Sequence, residues 1–272
     1  MIRLAVKCRP ELAEIVLAEL VQLAPGGVEE EAGPGWVEYA IYGAEGELPN
    51  LGAVEAAAGD ELVEITSERI PDDWADRWRD FHEPTVLADG RVVIRPGWHE
   101  SPKPDALDVV IDPGQAFGTG AHPTTRMCVD MLVWLADRGR ATGPIADLGT
   151  GSAVLAIVAA KLGWSPVLGV DHEKAALIAA VENATANGVE LDVEQANLRE
   201  SPPPHAPTIV ANLVAPVLRD VANLITDPPR TLIISGLLTG EAEDVAQAFS
   251  PHGLTTAERL DSGDWSALLL TR

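Results

Sequence analysis

The chain has 272 residues, of which 46% are hydrophobic, and a formal net charge of −23 at pH 7. This length allows two domains, and the hydrophobic fraction supplies a buried core and argues against general disorder. The negative charge disfavours free nucleic acid and anionic membranes as partners, because both are polyanions, and favours either a basic partner or simple solubility.

Cysteine use and hydropathy favour the cytoplasm. The two cysteines, Cys8 and Cys128, give neither a disulfide framework nor a metal-ligand spacing. The first residues lack the apolar core of a secretory signal, and no apolar run reaches membrane-spanning length. We therefore expect a soluble cytoplasmic protein without a bound metal.

Residues 1–66 have the element order of a ferredoxin-like α+β domain. Strand and helix patterns follow each other as β-α-β-β-α-β, which predicts one sheet covered by two helices. The predicted elements are a strand at 2–8, a helix from 10 to about 23, two strands around the turn at 33–35, a helix at 50–58 and a strand at 62–66. Thirteen acidic residues against three basic ones indicate a surface that either docks a basic protein or is simply solvated.

A connecting helix is predicted at 67–83. A proline followed by two aspartates suits its first turn, and Trp74, Trp78 and Phe81 fall on one helical face. An aromatic stripe of this kind is typical of core packing. The helix would join the small domain to a second domain at 84–272.

The second domain alternates regularly between strands and helices. Repeated β-α units predict a parallel sheet with helices on both faces and right-handed crossovers, and the last two strands predict an antiparallel pair that closes the sheet. The fold class is therefore α/β, with a doubly wound, seven-stranded, Rossmann-like sheet after two short strands at 91–95 and 108–112. The sheet strands are predicted at 145–147, 166–170, 191–195, 208–211, 232–235, 255–260 and 266–270, and the helices at 123–135, 153–162, 173–187, 216–225 and 240–249.

A glycine-rich loop occupies 112–125, before the first helix of this domain. Three glycines lie close to Phe117, which is more than turn chemistry alone requires. His122 and Thr125 stand at the helix start, where their side chains either cap free amides or face a ligand. We expect a mobile loop that carries an exposed aromatic ring.

A glycine turn at 147–152 follows the first strand of the predicted sheet. Gly149 and Gly151 allow the backbone to pass close to a ligand, and the next helix begins directly after them. Asp171 ends the following strand, twenty-two residues after Gly149, at the same edge of the sheet. This carboxylate either caps the next helix or accepts hydrogen bonds from ribose hydroxyls, and its spacing from the glycine turn favours the ribose.

The details of the turn favour S-adenosylmethionine over other nucleotides. A dinucleotide fingerprint has a glycine where this chain has Val154, and no glycine-lysine-serine or -threonine sequence is present to hold a nucleoside triphosphate. The closing strand pair also fits a methyltransferase better than a dehydrogenase. S-adenosylmethionine has no phosphates and needs ribose and adenine contacts with room for a sulfonium.

The chain also resembles a known family, the ribosomal protein L11 methyltransferases. The glycine loop with its His-Pro-Thr-Thr ending is the specific part of this resemblance, whereas the glycine turn alone would be a weak signal. The segments that carry it are 112–125, 147–152, 210–213 and 235–238, together with the tryptophan-containing segment from 74 to 98.

This resemblance implies a function and a set of contacts. The family transfers methyl groups from S-adenosylmethionine to amino groups, on lysine side chains and the amino terminus, of a basic protein of the large ribosomal subunit. The cofactor contacts of the family map onto Thr125, Gly149, Asp171 and Asn212, and the turn adds Gly151. The substrate-recognition domain of the family maps onto residues 1–66, with no nucleic-acid or membrane partner, and we expect a monomer.

The chain departs from the family pattern at two places. Position 153 is alanine, where the family usually has glycine, and the residues after Asp171 differ from the usual Asp-x-Asp-Pro. Neither difference removes a mapped contact, so we expect an effect on affinity rather than on activity.

Two residues are candidates for a role in methyl transfer. Positioning of the amine accounts for much of the catalysis of an in-line displacement, and Asn212 at a strand terminus either orients that amine or caps a turn. Phe117, on its glycine-rich loop, would cover the cofactor and exclude water. The sequence identifies no obligatory general base.

Three other functions remain open at this point. The chain could methylate another protein lysine or a small-molecule amine with the same sheet and cofactor site. It could be a dinucleotide-dependent oxidoreductase, against which Val154 and the closing strand pair argue. It could also be a module that binds S-adenosylmethionine or a basic partner without catalysis.

Overall fold

The chain divides into two compact units, Met1–Phe81 and His82–Arg272. The computed structural model describes residues 2–13, 16–17, 20, 28–43, 64–69, 83–112 and 120–272. Several predicted features lie outside the described residues: much of the helix from 10 to about 23, the helix at 50–58, residues 70–82 of the connecting helix with Trp74, Trp78 and Phe81, and the loop residue Phe117.

The first unit contains a four-stranded antiparallel sheet. Its strands are β1 (Ile2–Cys8), β2 (Glu29–Gly33), β3 (Trp36–Gly43) and β4 (Glu64–Arg69). They lie in the order β2-β3-β1-β4, and every neighbouring pair is antiparallel. This is the strand order of a ferredoxin-like sandwich, in which each β-α-β crossover leaves room for one strand between the two that it connects. The predicted fold of this unit is confirmed for the strands.

The alternation of β1 explains the core of this unit. Val6 and Cys8 point to one face of the sheet and are fully buried, and Tyr39 and Ile41 of β3 lie beside them. Leu20 comes from the segment after β1 and covers the same face.

The last strand of this unit is longer than predicted. The strand β4 pairs with β1 from Glu64 opposite Lys7 to Arg69 opposite Ile2. Without residues 67–69, the first residues of β1 would have unpaired backbone groups on that side. Residues 67–69, which sequence patterns assigned to the connecting helix, are therefore strand.

The second unit begins with a small three-stranded sheet. Its strands are β5 (Thr85–Leu87), β6 (Val92–Arg95) and β7 (Leu107–Val110), in the order β5-β6-β7. Strands β6 and β7 are parallel, and the Arg95 guanidinium holds them together by donating two hydrogen bonds of 2.7 Å to the carboxylate of Asp108. The two strands predicted here are confirmed.

The large sheet of this unit has seven strands in the order β10-β9-β8-β11-β12-β14-β13. Neighbours from β10 to β12 are parallel, and β14 is antiparallel to both β12 and β13, which confirms the closing strand pair. The strands are β8 (Ile145–Leu148), β9 (Val167–Asp171), β10 (Asp192–Gln195), β11 (Thr208–Asn212), β12 (Thr231–Leu238), β13 (Thr255–Ser262) and β14 (Trp265–Thr271). The helices are α1 (Pro123–Asp137), α2 (Val154–Leu162), α3 (Lys174–Ala186), α4 (Ala215–Leu224) and α5 (Ala242–Phe249).

Both faces of the seven-stranded sheet are covered, which confirms the doubly wound α/β class. Helices α1, α2 and α3 pack on one face around residues such as Ile145 and Ile157, and α4 and α5 pack on the other around Leu148 and Phe249. Successive residues of β8 contribute to opposite faces, as the pleat of a central strand requires. None of the helices in the described ranges is both long and apolar enough to span a bilayer.

Candidate functional site

The chain reverses direction in a glycine turn between β8 and α2. Gly149 and Gly151 have φ values of 71° and 52°, a region that L-residues with a side chain rarely adopt. A Cβ atom at Gly149 would also lie 2.3 Å from Cδ2 of Leu213, so that side chain would have to move. Ala153 adopts a φ of 63° directly before α2, a conformation that costs about 1 kcal/mol for a residue with a Cβ atom.

A buried aspartate fixes the shape of this turn. The Asp147 carboxylate accepts hydrogen bonds from the Thr150 hydroxyl at 2.9 Å and from the backbone N–H of Ala156 at 3.2 Å. Only 2% of Asp147 is exposed, and burial raises the pKa of its carboxyl to about 7. The same carboxylate therefore joins the strand end, the turn and the first turn of α2.

The Asp171 carboxylate lies directly against the glycine turn. One of its oxygens accepts the Gly151 N–H at 3.0 Å, and the other accepts the Glu173 N–H at 3.0 Å. The second contact shows that Asp171 also supports the chain at the start of α3, as the simpler interpretation of this residue predicted. Asp171 is 8% exposed, and each carboxylate oxygen has a further lone pair.

The backbone amides of the turn are engaged with protein oxygens. The N–H groups of Gly149 and Thr150 both donate to the Val170 carbonyl, at 2.8 and 2.9 Å, while that of Gly151 donates to Asp171. A dinucleotide site instead directs such amides to a pyrophosphate. The turn thus favours a nucleoside ligand without phosphates.

Thr125 and Asn212 are brought together from positions 87 residues apart. Asn212 ends β11, and its Nδ2 donates to the hydroxyl of Thr125 in the first turn of α1 at 3.3 Å. Thr125 is 1% exposed. His122 caps the same helix, because its Nδ1 accepts the Thr124 N–H at 3.3 Å, and burial lowers the pKa of its imidazole, which favours the neutral acceptor form.

The predicted cofactor residues meet where the strand order reverses. The turn follows β8, Asp171 ends β9 and Asn212 ends β11, so all three lie at the carboxyl edge of adjacent parallel strands. The order reverses between β8 and β11, the position at which open α/β sheets bind ligands. Leu213 follows Asn212, and its side chain approaches Gly149. The Thr125–Asn212 pair therefore lies next to the glycine turn.

Comparison with known proteins decides the family. The family model described as "Ribosomal protein L11 methyltransferase (PrmA)" matches residues 44–272, a segment that includes every predicted site residue. The chain belongs to the ribosomal protein L11 methyltransferase family.

Individual members of this family show the extent of the similarity. The chain is 40% identical to the ribosomal protein L11 methyltransferase of Heliobacterium modesticaldum over 207 residues, which cover 74% of this chain and 64% of that protein. It is also 40% identical to the corresponding protein of Aliivibrio fischeri over 188 residues, 67% of this chain and 63% of that one. The matched region is therefore less than two thirds of the length of these two relatives.

A solved family structure has the same fold. The crystal structure of a ribosomal protein L11 methylase from Lactobacillus delbrueckii subsp. bulgaricus superimposes with a TM-score of 0.59 at 28% identity, over 69% of this chain and 97% of that chain. The family membership and the fold that the sequence motifs implied are thus confirmed.

Asn183 of α3 also contacts the glycine turn of the candidate site, and sequence analysis missed it. Asn183 bonds both to the turn, through the Ser152 carbonyl, and to the Asp112 N–H. Asn187, one helical turn later, bonds to the N–H and the carbonyl of Val110. The sequence does contain a signal for Asn183, because it lies three residues after the apolar Ala180 and therefore on the same, buried face of the helix. A buried amide needs hydrogen-bond partners.

Proposed function

We propose that this chain transfers methyl groups from S-adenosylmethionine to amino groups of ribosomal protein L11, on lysine side chains and the amino terminus. The observation that carries this proposal is the family match over residues 44–272, which contains the whole candidate site. Relatives that carry this name are 40% identical to the chain over the aligned region.

The residues at the switch point fit this cofactor. S-adenosylmethionine supplies an electrophilic methyl group on a sulfonium when it is bound. Asp171 would accept hydrogen bonds from the ribose hydroxyls, Gly149 and Gly151 would allow the backbone to approach the ligand, and Thr125 and Asn212 would complete the contacts. The engaged amides of the turn support this ligand over a dinucleotide.

The acceptor amine needs positioning more than it needs an acid or a base. Asn212 would orient the amine through its side-chain or backbone oxygen, at the edge of the sheet. A lysine has an ordinary pKa of about 10.4, and desolvation in the site lowers that value so that the neutral amine is available for attack. The released proton then passes to solvent.

Charge supports a basic substrate. The chain has a net charge of −23, and Glu29–Glu31 are exposed along the edge strand β2 of the first unit. We propose that residues 1–66 recognise the ribosomal protein by this surface. We further propose that the protein acts as a cytoplasmic monomer without direct contact with nucleic acid, since its charge repels polyanions.

Calorimetric titration tests the proposed cofactor. We expect the purified full chain to bind S-adenosylmethionine and not NAD, and then to transfer labelled methyl groups to isolated ribosomal protein L11. Binding of NAD alone would identify an oxidoreductase, and binding of neither would indicate a module without this activity. Transfer to a small amine or to another protein, with none to L11, would overturn the proposed substrate.

A second experiment tests the acidic edge. Replacing Glu29, Glu30 and Glu31 with glutamine should raise the KM for L11, because the attraction for a basic surface is weakened. The affinity for S-adenosylmethionine should stay unchanged. A KM equal to that of the native chain at low ionic strength would exclude this strand from substrate recognition.

A further inference from the structure

Asn183 of α3 makes two contacts that connect distant parts of the second unit. Its Nδ2 donates to the Ser152 carbonyl at 2.9 Å, and its Oδ1 accepts the Asp112 N–H at 3.0 Å. Ser152 is the last residue of the glycine turn, and Asp112 is the first residue of the glycine-rich loop segment. Only 3% of Asn183 and none of Ser152 is exposed, so the contact between them is shielded from water.

An amide is the side chain that these two partners require. The Ser152 carbonyl needs a donor and the Asp112 amide needs an acceptor, and asparagine provides one of each on a short side chain. Loss of the donor would remove this hydrogen bond from the buried Ser152 carbonyl.

Asn187 provides an internal comparison. It lies one helical turn after Asn183, and its amide bonds to the backbone of Val110, where Oδ1 accepts the N–H at 2.9 Å and Nδ2 donates to the carbonyl at 2.6 Å. The same Nδ2 also donates to the Asn183 carbonyl at 2.8 Å. The two asparagines therefore hold Val110 and Asp112, two positions apart in the same chain segment. Of the two, Asn183 is the one that is hydrogen-bonded to the last residue of the glycine turn, Ser152.

From this geometry we infer that Asn183 is a positioning residue, which couples the cofactor turn at 149–152 to the segment that leads into the glycine-rich loop. Occupation of the turn by the cofactor would order Asp112 through this amide, before the acceptor amine arrives. The inference rests on the proposed function for the identity of the cofactor. The connection that Asn183 makes between Ser152 and Asp112, which we call the bridge, does not depend on that identity.

Matched aspartate variants test the bridge. Asn183→Asp keeps the acceptor for Asp112 and removes the donor to Ser152. Asn187→Asp makes the same change from amide to carboxylate and removes the donor to the Val110 and Asn183 carbonyls, without touching the turn. We expect Asn183→Asp to raise the Kd and KM for S-adenosylmethionine about tenfold, with kcat at saturating cofactor within about twofold of native. Asn187→Asp should leave all three values within about twofold. Equal effects of both variants would overturn the coupling.

Hydrogen exchange gives a readout that does not depend on activity. Without cofactor, Asn183→Asp should accelerate amide exchange in 149–153, and Asn187→Asp should not. In the native chain, added S-adenosylmethionine should slow exchange in 110–112 as well as in 149–153. Protection confined to 149–153 would refute the coupling even if neither variant folded.

These outcomes separate the two proposals. If the native chain does not bind S-adenosylmethionine, the proposed function is wrong, and the exchange of the cofactor-free variants still decides whether Asn183 forms the bridge. If it binds and both variants behave alike, the proposed function stands and the role of Asn183 is refuted.

Discussion

The buried carboxylate of Asp147 should make the stability of the protein depend on pH. It is 2% exposed and is hydrogen-bonded to Thr150 and Ala156, and no ion pair of Asp147 is formed with the described residues. Burial raises the pKa of this carboxyl from 3.8 to about 7. A rise of about three units corresponds to about 4 kcal/mol of free energy that folding loses when the group is charged.

The sign follows from the two pKa values. Between pH 3.8 and about 7, the folded chain retains a proton on Asp147 that the unfolded chain releases. The contribution to stability is therefore complete below pH 3.8 and is lost as pH rises to about 7 and beyond. Integration between pH 5.5 and pH 8 gives a loss of about 2 kcal/mol in the free energy of unfolding from this group.

Urea unfolding of the native chain and Asp147→Asn at these two pH values measures the loss, with far-ultraviolet circular dichroism as the probe. The amide does not titrate, so the variant should gain about 2 kcal/mol relative to the native chain between pH 5.5 and pH 8. The exposed Asp192 on β10 provides the control, and Asp192→Asn should leave the difference between the two pH values unchanged. An identical pH dependence of the unfolding free energy in the native chain and Asp147→Asn would refute the raised pKa of Asp147.

The remaining predictions concern the proposed cofactor and substrate contacts. Asp171→Asn should raise the Kd for S-adenosylmethionine about 10- to 100-fold in calorimetry, because a charged acceptor is lost, whereas the exposed neighbour Glu173→Gln should bind as the native chain does. Asn212→Ala should lower kcat about tenfold or more in a labelled-methyl assay, and normal turnover would remove its positioning role. If Phe117 covers the cofactor, Phe117→Ala should weaken cofactor binding and slow turnover, and the lid hypothesis fails if both are unchanged.

Local patterns predicted most secondary structure of the second unit. The apolar run of β8 followed by Gly149 and Gly151 indicates a strand and a turn, because both depend on residues a few positions apart. The same reasoning predicted the closing strand pair and the carboxylate at the end of β9. It was less successful at the end of β4, because the three added residues depend on pairing with the start of β1, far earlier in the chain.

The sequence by itself determined most of the strands and helices of the second unit, the position of the glycine turn and the family of the protein. Only the tertiary structure decided that Asn212 bonds to Thr125, that Asp171 accepts the Gly151 amide, and that Asn183 joins Ser152 to Asp112. Periodicity reports the face on which a side chain lies, since that face is fixed by neighbours two to four residues away. It does not report the partner on the opposing element, because that partner depends on the order in which distant strands assemble into the sheet.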